Sequence, residues 1–272
     1  MLKTRIITAL LIALVTFAVI FFTPPWGFRL AVAILCITGS WEFARLAGLG
    51  RAWRWTLPAI QTIVIGLMMQ YWHEIASHAL TFLAAAGLTW CVMFLRLVTF
   101  RPGTEPGINY HMVSFFCALA SISFAWFALA WLHAQTGGDF LILLLIFIIW
   151  AADTGAYFAG RSFGRHKLAP LISPGKTWEG LLGGLALAVL IALLMAHLTL
   201  AMPPGLAAMV ILTITTVLAA AAGDLFISVH KRTMGLKDSG RLFPGHGGVL
   251  DRFDSLLAGA PFFALGALLL EL

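Results

Sequence analysis

Nine apolar runs, most of them near the length that crosses a bilayer, divide this chain. A helix needs about 20 apolar residues to span a hydrocarbon core of about 30 Å. Inside that core a segment must pair its own backbone N–H and C=O groups, which leaves only helices or closed barrels. The runs lie at about 6–22, 28–43, 57–71, 76–95, 112–131, 140–157, 180–200, 206–226 and 256–270. The predicted fold is all-α: a polytopic integral membrane protein with about nine transmembrane helices. No connection is long enough to fold alone, so residues 1–272 read as a single transmembrane domain. The chain is 61% hydrophobic and only 10% charged, more apolar side chain than a soluble interior of this size takes up. The third run is short and is bracketed by Trp55 and Trp72, where an aromatic belt belongs. Lys3 and Arg5 before the first run imitate a signal peptide, but no small-residue cleavage site follows, so an uncleaved first helix is expected. Cys36, Cys91 and Cys117 sit inside apolar runs without metal-ligand spacing and are expected to be small buried hydrophobes.

Charge gives an independent check on the runs. With the N-terminus in the cytoplasm, the inward segments are the N-terminal tail and residues 44–55, 96–111, 160–179 and 227–254. Of the 17 Lys and Arg residues, all but Arg29 fall in these segments or at their edges. The outward connections, TPPWGF, HEIAS, HAQTGG and TLAMPPG, are short and almost uncharged. This is the positive-inside asymmetry. The net charge of +6 would suggest nucleic acid as partner of a soluble chain. Here it suits topology, anionic headgroups or nucleotides, and no nucleic-acid partner is expected.

Two polar segments, about 148–180 and 222–255, hold most of the chemistry-bearing residues. In the first, Asp153 ends an apolar run, and an acid at such a depth is functional unless a neighbouring cation pairs with it. Tyr157 follows one turn later on the same face, and Gly155, Gly160 and Gly164 permit close helix contact or a turn. Arg161, Arg165, His166 and Lys167 serve equally as a topological anchor. In SPGKTWEG, residues 173–180, Pro174-Gly175 reads as a turn, Thr177 as a helix cap and Glu179 as an acid suited to the helix dipole. Lys176 beside a helix N-terminus is a place for a phosphate, although the preamble of a Walker A loop is missing.

The segment 222–255 carries five basic residues (Lys231, Arg232, Lys237, Arg241, Arg252) and four acidic ones (Asp224, Asp238, Asp251, Asp254). If the eighth helix continues past its apolar part, Asp224, Ser228 and Lys231 line one face. Asp251 and Asp254 share a face of the next helix. PGHGG, residues 244–248, exposes His246 beside backbone amides suited to cradling an anion. Carboxylates converging from two helices favour a hard cation such as Mg2+; a lattice of salt bridges between the helix ends is the other reading. His230 is expected to be a solvated interface histidine.

The run Ser228-Val229-His230-Lys231-Arg232, then Lys237-Asp238-Ser239-Gly240, then His246-Gly247-Gly248-Val249-Leu250-Asp251-Arg252-Phe253-Asp254 closely resembles the signature of phosphatidate cytidylyltransferases, also called CDP-diglyceride synthases. Asp153, Tyr157, Gly160, Gly164 and SPGKTWEG look like that family's second characteristic region, and Arg5 with Trp41-Glu42-Phe43 like its N-terminal pattern. The resemblance implies a multi-pass enzyme of the inner (cytoplasmic) membrane, with its active site facing the cytoplasm. It would transfer the CMP moiety of CTP to phosphatidic acid, giving CDP-diacylglycerol and pyrophosphate with Mg2+, as a homodimer. It further implies a metal site at Asp224 and Asp251, with Lys176, Lys231, Arg232 and Lys237 facing phosphates. The catalytic set is then Asp224, Lys231, Lys237, Asp251 and Asp254, with Lys176, Thr177, Ser228, Arg232 and His246 binding the nucleotide. Three positions depart from the family pattern. Ile227 stands where many members have glutamate, His230 where an aliphatic or aromatic residue is usual, and Gly175 where a basic residue is common.

The expected chemistry is in-line: a phosphate oxygen of the lipid attacks the α-phosphate of CTP and pyrophosphate leaves. The alternatives are another CTP-dependent lipid enzyme, of the polyprenol- or phytol-kinase kind, and an ion-coupled lipid transporter using Asp153.

Overall fold

The computed structural model describes residues 2–99, 107–199, 205–243, 245 and 247–272. Among the described residues ten helices follow one another: α1 (Leu2–Phe22), α2 (Pro25–Leu46), α3 (Thr56–Gln70), α4 (Trp72–Ser77), α5 (Ala79–Thr99), α6 (Ile108–His133), α7 (Gly138–Phe163), α8 (Trp178–Thr199), α9 (Leu206–Thr233) and α10 (Leu250–Leu269). Between α7 and α8 lies a hairpin of β1 (Lys167–Ala169) and β2 (Ser173–Thr177).

Among the described residues six helices are long and apolar enough to cross a membrane: α2 and α6 to α10. This is a polytopic membrane protein, and six replaces the expected nine. Of the other helices, α3 has 15 residues, which at about 1.5 Å per residue falls short of a core of about 30 Å. In α1 and α5 the apolar parts among the described residues, Ile7–Phe22 and Ala79–Leu95, have at most 17 residues. The fourth apolar run also breaks at His78, where α4 gives way to α5.

Trp90, Trp126, Phe43, Phe127, Phe226 and Phe263, from α5, α6, α2, α9 and α10, are fully buried in the centre. Leu190, Leu194 and Leu198 of α8 face outward, as apolar residues do where lipid is the solvent. Cys36 is buried, but Cys91 is exposed and Cys117 only partly covered, because an outward face in lipid suits a small apolar side chain equally well. At the far end Arg29, the lone exception to the charge asymmetry, lies 4.5 Å over the Trp72 ring. Its own carbonyl accepts from Trp126 Nε1 at 3.0 Å.

Small residues bring α7 and α8 into close contact. A Cβ at Gly155 would stand 2.6 Å from the Gly183 carbonyl oxygen, and one at Gly184 2.6 Å from that of Ala152. The pairing resembles small-residue seams of membrane helices generally. The C-terminal ends of α2, α7 and α9 and the N-terminal ends of α6, α8 and α10 meet at one end of the bundle. There Tyr110 Oη donates to the Leu46 carbonyl at 2.8 Å and His111 Nδ1 lies 2.8 Å from that of Ala47.

The β-hairpin corrects the reading of SPGKT. Pro174-Gly175 is extended within β2, with Lys167 opposite Thr177 and Ala169 opposite Ser173. The turn falls at 170–172, where Ile172 N donates to Ala169 O at 3.1 Å. Pro170 supplies a preset φ for that turn, while a two-stranded ribbon has free edges that tolerate Pro174.

Candidate active site

Asp224, Ser228 and Lys231 lie on α9, which continues past its apolar part as expected. Asp251 and Asp254 lie at the start of α10. The two helices meet at Gly223, where a Cβ would stand 2.8 Å from the Asp254 carbonyl oxygen and 3.0 Å from Ala258 Cβ. That approach sets the Asp224 carboxyl near the Asp254 carboxyl, within electrostatic reach of each other. Ser228 Oγ lies 3.5 Å from Asp224 Oδ1.

Two lysines close the cluster. Lys176 Nζ, from β2, is 2.7 Å from Asp224 Oδ2, so the hairpin is tied to α9. Lys231 Nζ is 2.9 Å from Asp251 Oδ1. Asp251 Oδ2 also accepts from the backbone N–H groups of Ser239 (2.8 Å) and Gly248 (2.9 Å). The site therefore holds two Lys–Asp pairs, one linking β2 to α9 and the other linking α9 to α10. Asp153 of α7 is within electrostatic reach of Asp224, Lys176 and Arg252.

Beside this cluster a cavity of ≈ 240 Å³ opens between α7, α8, α9 and the hairpin. Asp153, Tyr157, Lys176, Thr177 and Ser255 form its polar part, and Ile149, Leu181 and Val217 its apolar part. Thr177 caps α8 as expected, accepting from Gly180 N at 3.0 Å. Glu179 accepts from Arg165 N at 3.1 Å and from His166 Nδ1 at 2.6 Å, so the α7–β1 connection is fastened to the first turn of α8.

The glycine-rich loop before α10 has an unexpected occupant. Its amides hold anions, but the anions are the chain's own. Gly248 N–H goes to Asp251, while Val249 N and Leu250 N donate to Glu42 Oε1 and Oε2 at 3.0 and 2.9 Å. Ser239 Oγ donates to Glu42 Oε2 at 2.8 Å. Glu42, 7% exposed, is the site-adjacent residue that the polar segments do not reveal. The available signal was an acid inside an apolar run, between Trp41 and Phe43, which is costly without a partner.

A model of the cytidylyltransferase family matches residues 3–270. The chain is 35% identical to the phosphatidate cytidylyltransferase of Haemophilus influenzae, over 97% of its own length and 98% of that protein's. It is 36% identical to the protein of that name from Pseudomonas aeruginosa, over 97% and 96%. The Staphylococcus saprophyticus protein of that name is 41% identical over 58% and 59%. The chain belongs to the cytidylyltransferase family. Within that family's signature, not every expected residue reaches the cluster. Arg232 Nε donates to the Ile172 carbonyl at 3.2 Å and so anchors the hairpin turn to α9. Lys237 is exposed on the loop that precedes Ser239, and His246 lies outside the described residues.

Two of the three departures from the signature are buried away from solvent. Ile227 is fully buried in the apolar core. His230, expected to be solvated, is 1% exposed. Its ring centroid lies 4.5 Å from that of Phe226, 5.1 Å from Phe43 and 5.8 Å from Tyr110, with Nδ1 2.9 Å from the Phe226 carbonyl. One residue step along the helix turns it away from Lys231 and onto the aromatic face. Gly175 lines the cavity, where an absent side chain leaves room beside Lys176.

Proposed function

We propose that this protein transfers the CMP moiety of CTP to phosphatidic acid, releasing pyrophosphate and CDP-diacylglycerol. The observation that carries the reading is the pair of lysines, Lys176 and Lys231, held against Asp224 and Asp251 beside a cavity lined by both polar and apolar side chains. Family membership and the relatives' common name supply the nucleotide and the lipid.

The attacking oxygen of phosphatidic acid is already anionic at neutral pH, so no strong base is required. The barrier is repulsion between two polyanions, which positioned cations lower. Lys176 and Lys231 exchange their carboxylate partners for phosphate oxygens when substrates enter. Thr177 and the α8 N-terminus face the cavity beside Lys176 and suit a phosphate group. Ile149, Leu181 and Val217 give an acyl chain an apolar wall. Lys237 and Arg232 add positive potential around the nucleotide, and Ser228 orients Asp224.

The residues fit Mg2+. The neighbouring carboxyls of Asp224 and Asp254 offer an oxygen-only donor pair, and Asp251 Oδ1 becomes available once Lys231 turns to a phosphate. Mg2+ is normally held by one or two carboxylates, with substrate phosphates and water completing its octahedron. This suits a site where, among the described residues, no three acidic, His or Cys side chains converge. We assign Asp224 and Asp251 as ligands, with Asp254 beside them. Bound there, the ion would neutralise charge developing on the α-phosphate and the leaving pyrophosphate.

The charge asymmetry supports an N-terminus and active site in the cytoplasm, in the inner membrane. A homodimer comes with the family resemblance, and α8, the span least covered within its own chain, offers a face for a second copy. Position-specific labelling of CTP tests the reaction. Label in the α-phosphate must appear in the lipid and label in the γ-phosphate in pyrophosphate; γ-label in the lipid would mean phosphoryl transfer and defeat the proposal.

A further inference from the structure

We propose that Glu42 is a positioning residue of the site, holding the loop 239–250 and the first turn of α10 so that Asp251 meets Lys231. The proposal rests on the reading of Asp251 and Lys231 as residues of the reaction.

Glu42 belongs to α2, 197 residues from its partner Ser239. Three donors converge on its carboxylate: Ser239 Oγ, Val249 N and Leu250 N. The last two are orphan donors of the α10 N-terminus, where a negative charge is favourable. The loop wraps so closely that a Cβ at Gly240 would stand 2.6 Å from Glu42 Cδ, and a Cβ at Gly248 would also run into the carboxylate. Only glycine permits that approach at these two positions.

The same loop residues serve Asp251. Ser239 gives its hydroxyl to Glu42 and its backbone N–H to Asp251 Oδ2. Of three successive amides, that of Gly248 goes to Asp251 and those of Val249 and Leu250 to Glu42. The two carboxylates are therefore held by interleaved donors on one short segment, and a shift of the segment at Glu42 is a shift at Asp251. Glu42 does not line the cavity, so its influence on substrate passes through this loop. Replacing it with glutamine keeps the volume but turns an NH2 group toward one or more of the donors, and an unpaired buried donor is costly.

The test uses the full chain in lipid nanodiscs, comparing wild type, Glu42→Gln, Ser239→Ala and the double variant. Two readouts are required: steady-state kinetics with CTP and phosphatidic acid, and hydrogen exchange of peptides covering 237–253 and, as reference, 152–184. Loss of an outer partner of this kind lowers activity about 10- to 100-fold. Glu42→Gln is expected to lower kcat by that factor while KM for phosphatidic acid stays unchanged. Amide exchange over 237–253 rises about tenfold, the effect of one lost hydrogen bond on local opening, and exchange over 152–184 does not move. Ser239→Ala, which removes one of the three donors, gives the same pattern with a smaller amplitude should Glu42→Gln fail to fold. In the double variant the effects are less than additive, because both act through one contact. Uniformly faster exchange, or faster local exchange with unchanged kcat, would overturn the proposal. Wild-type protein that transfers no CMP would remove the functional reading instead, and the exchange pattern would still decide whether Glu42 holds the loop.

Discussion

Asp251 and Lys231 form a pair whose two halves are unequally supported, and this makes their substitutions unequal. Asp251 accepts from Lys231 Nζ at 2.9 Å, Ser239 N at 2.8 Å and Gly248 N at 2.9 Å. The side chains are 5% exposed for Asp251 and 13% for Lys231. Lys231→Met removes one charged donor but leaves Asp251 its two amides. A hydrogen bond to a charged group contributes about 1.5–3 kcal/mol, and the variant should lose about that. Asp251→Asn strands a lysine charge among protein groups, which costs about 3–5 kcal/mol when a buried pair is broken from one side. Net stabilities of about 5–15 kcal/mol leave little margin for such a loss. Removing both charges relieves the stranded lysine, while the Asn carbonyl still accepts from the loop amides. The unfolding midpoints in detergent, followed by fluorescence-detected size exclusion, should therefore run wild type, Lys231→Met, the double variant, then Asp251→Asn. All three variants should lose CMP transfer. A double variant less stable than Asp251→Asn by the full cost of Lys231→Met would show that the two side chains are not coupled and refute the reasoning.

Lys176→Ala should abolish turnover while lowering the unfolding midpoint less than Asp251→Asn does, since the Lys176 and Asp224 side chains are 28% and 29% exposed and water screens the charge left behind; unchanged kcat would remove Lys176 from the site. Thr177→Val removes the cap on Gly180 and should cost about 1 kcal/mol, with Thr177→Ser close to wild type in the same thermal assay. Gly155→Leu places a side chain where a Cβ alone would be 2.6 Å from the Gly183 carbonyl, and the protein should fail to accumulate in membranes on immunoblot. Gly223→Ala, with its Cβ 2.8 Å from the Asp254 carbonyl, should separate α9 from α10 and depress kcat more than it depresses expression.

The spans most legible in the sequence were those with apolar runs of 18 to 21 residues, α6 to α9 above all. The run 57–71 has the same composition but forms a helix of only 15 residues, so counting by composition overstated the spans. The helical register of Asp224, Ser228 and Lys231 follows from spacing alone, and α9 confirms it. Spacing says nothing about which cation meets which acid, because Lys176 comes from a hairpin 45 residues before its second partner, the Ala221 carbonyl. The hairpin escaped because strands of 3 and 5 residues leave too little alternation to read, and Pro-Gly is a stronger turn signal than strand signal. His230 was misplaced because one step along a helix rotates a side chain from the polar face to the aromatic one. Glu42 stood out as an acid in an apolar run, but its donors were hidden by distance in sequence, since they lie on a loop near the other end of the chain.

We propose that the cluster where α9, α10 and the β-hairpin meet performs nucleotidyl transfer to a lipid phosphate. Purified protein in nanodiscs, given CTP, phosphatidic acid and Mg2+, should form CDP-diacylglycerol and pyrophosphate in equal amounts, and Asp224→Asn should form neither. Pyrophosphate-free conversion of the lipid, CTP turnover without CDP-diacylglycerol, or a fully active Asp224→Asn protein would contradict the account.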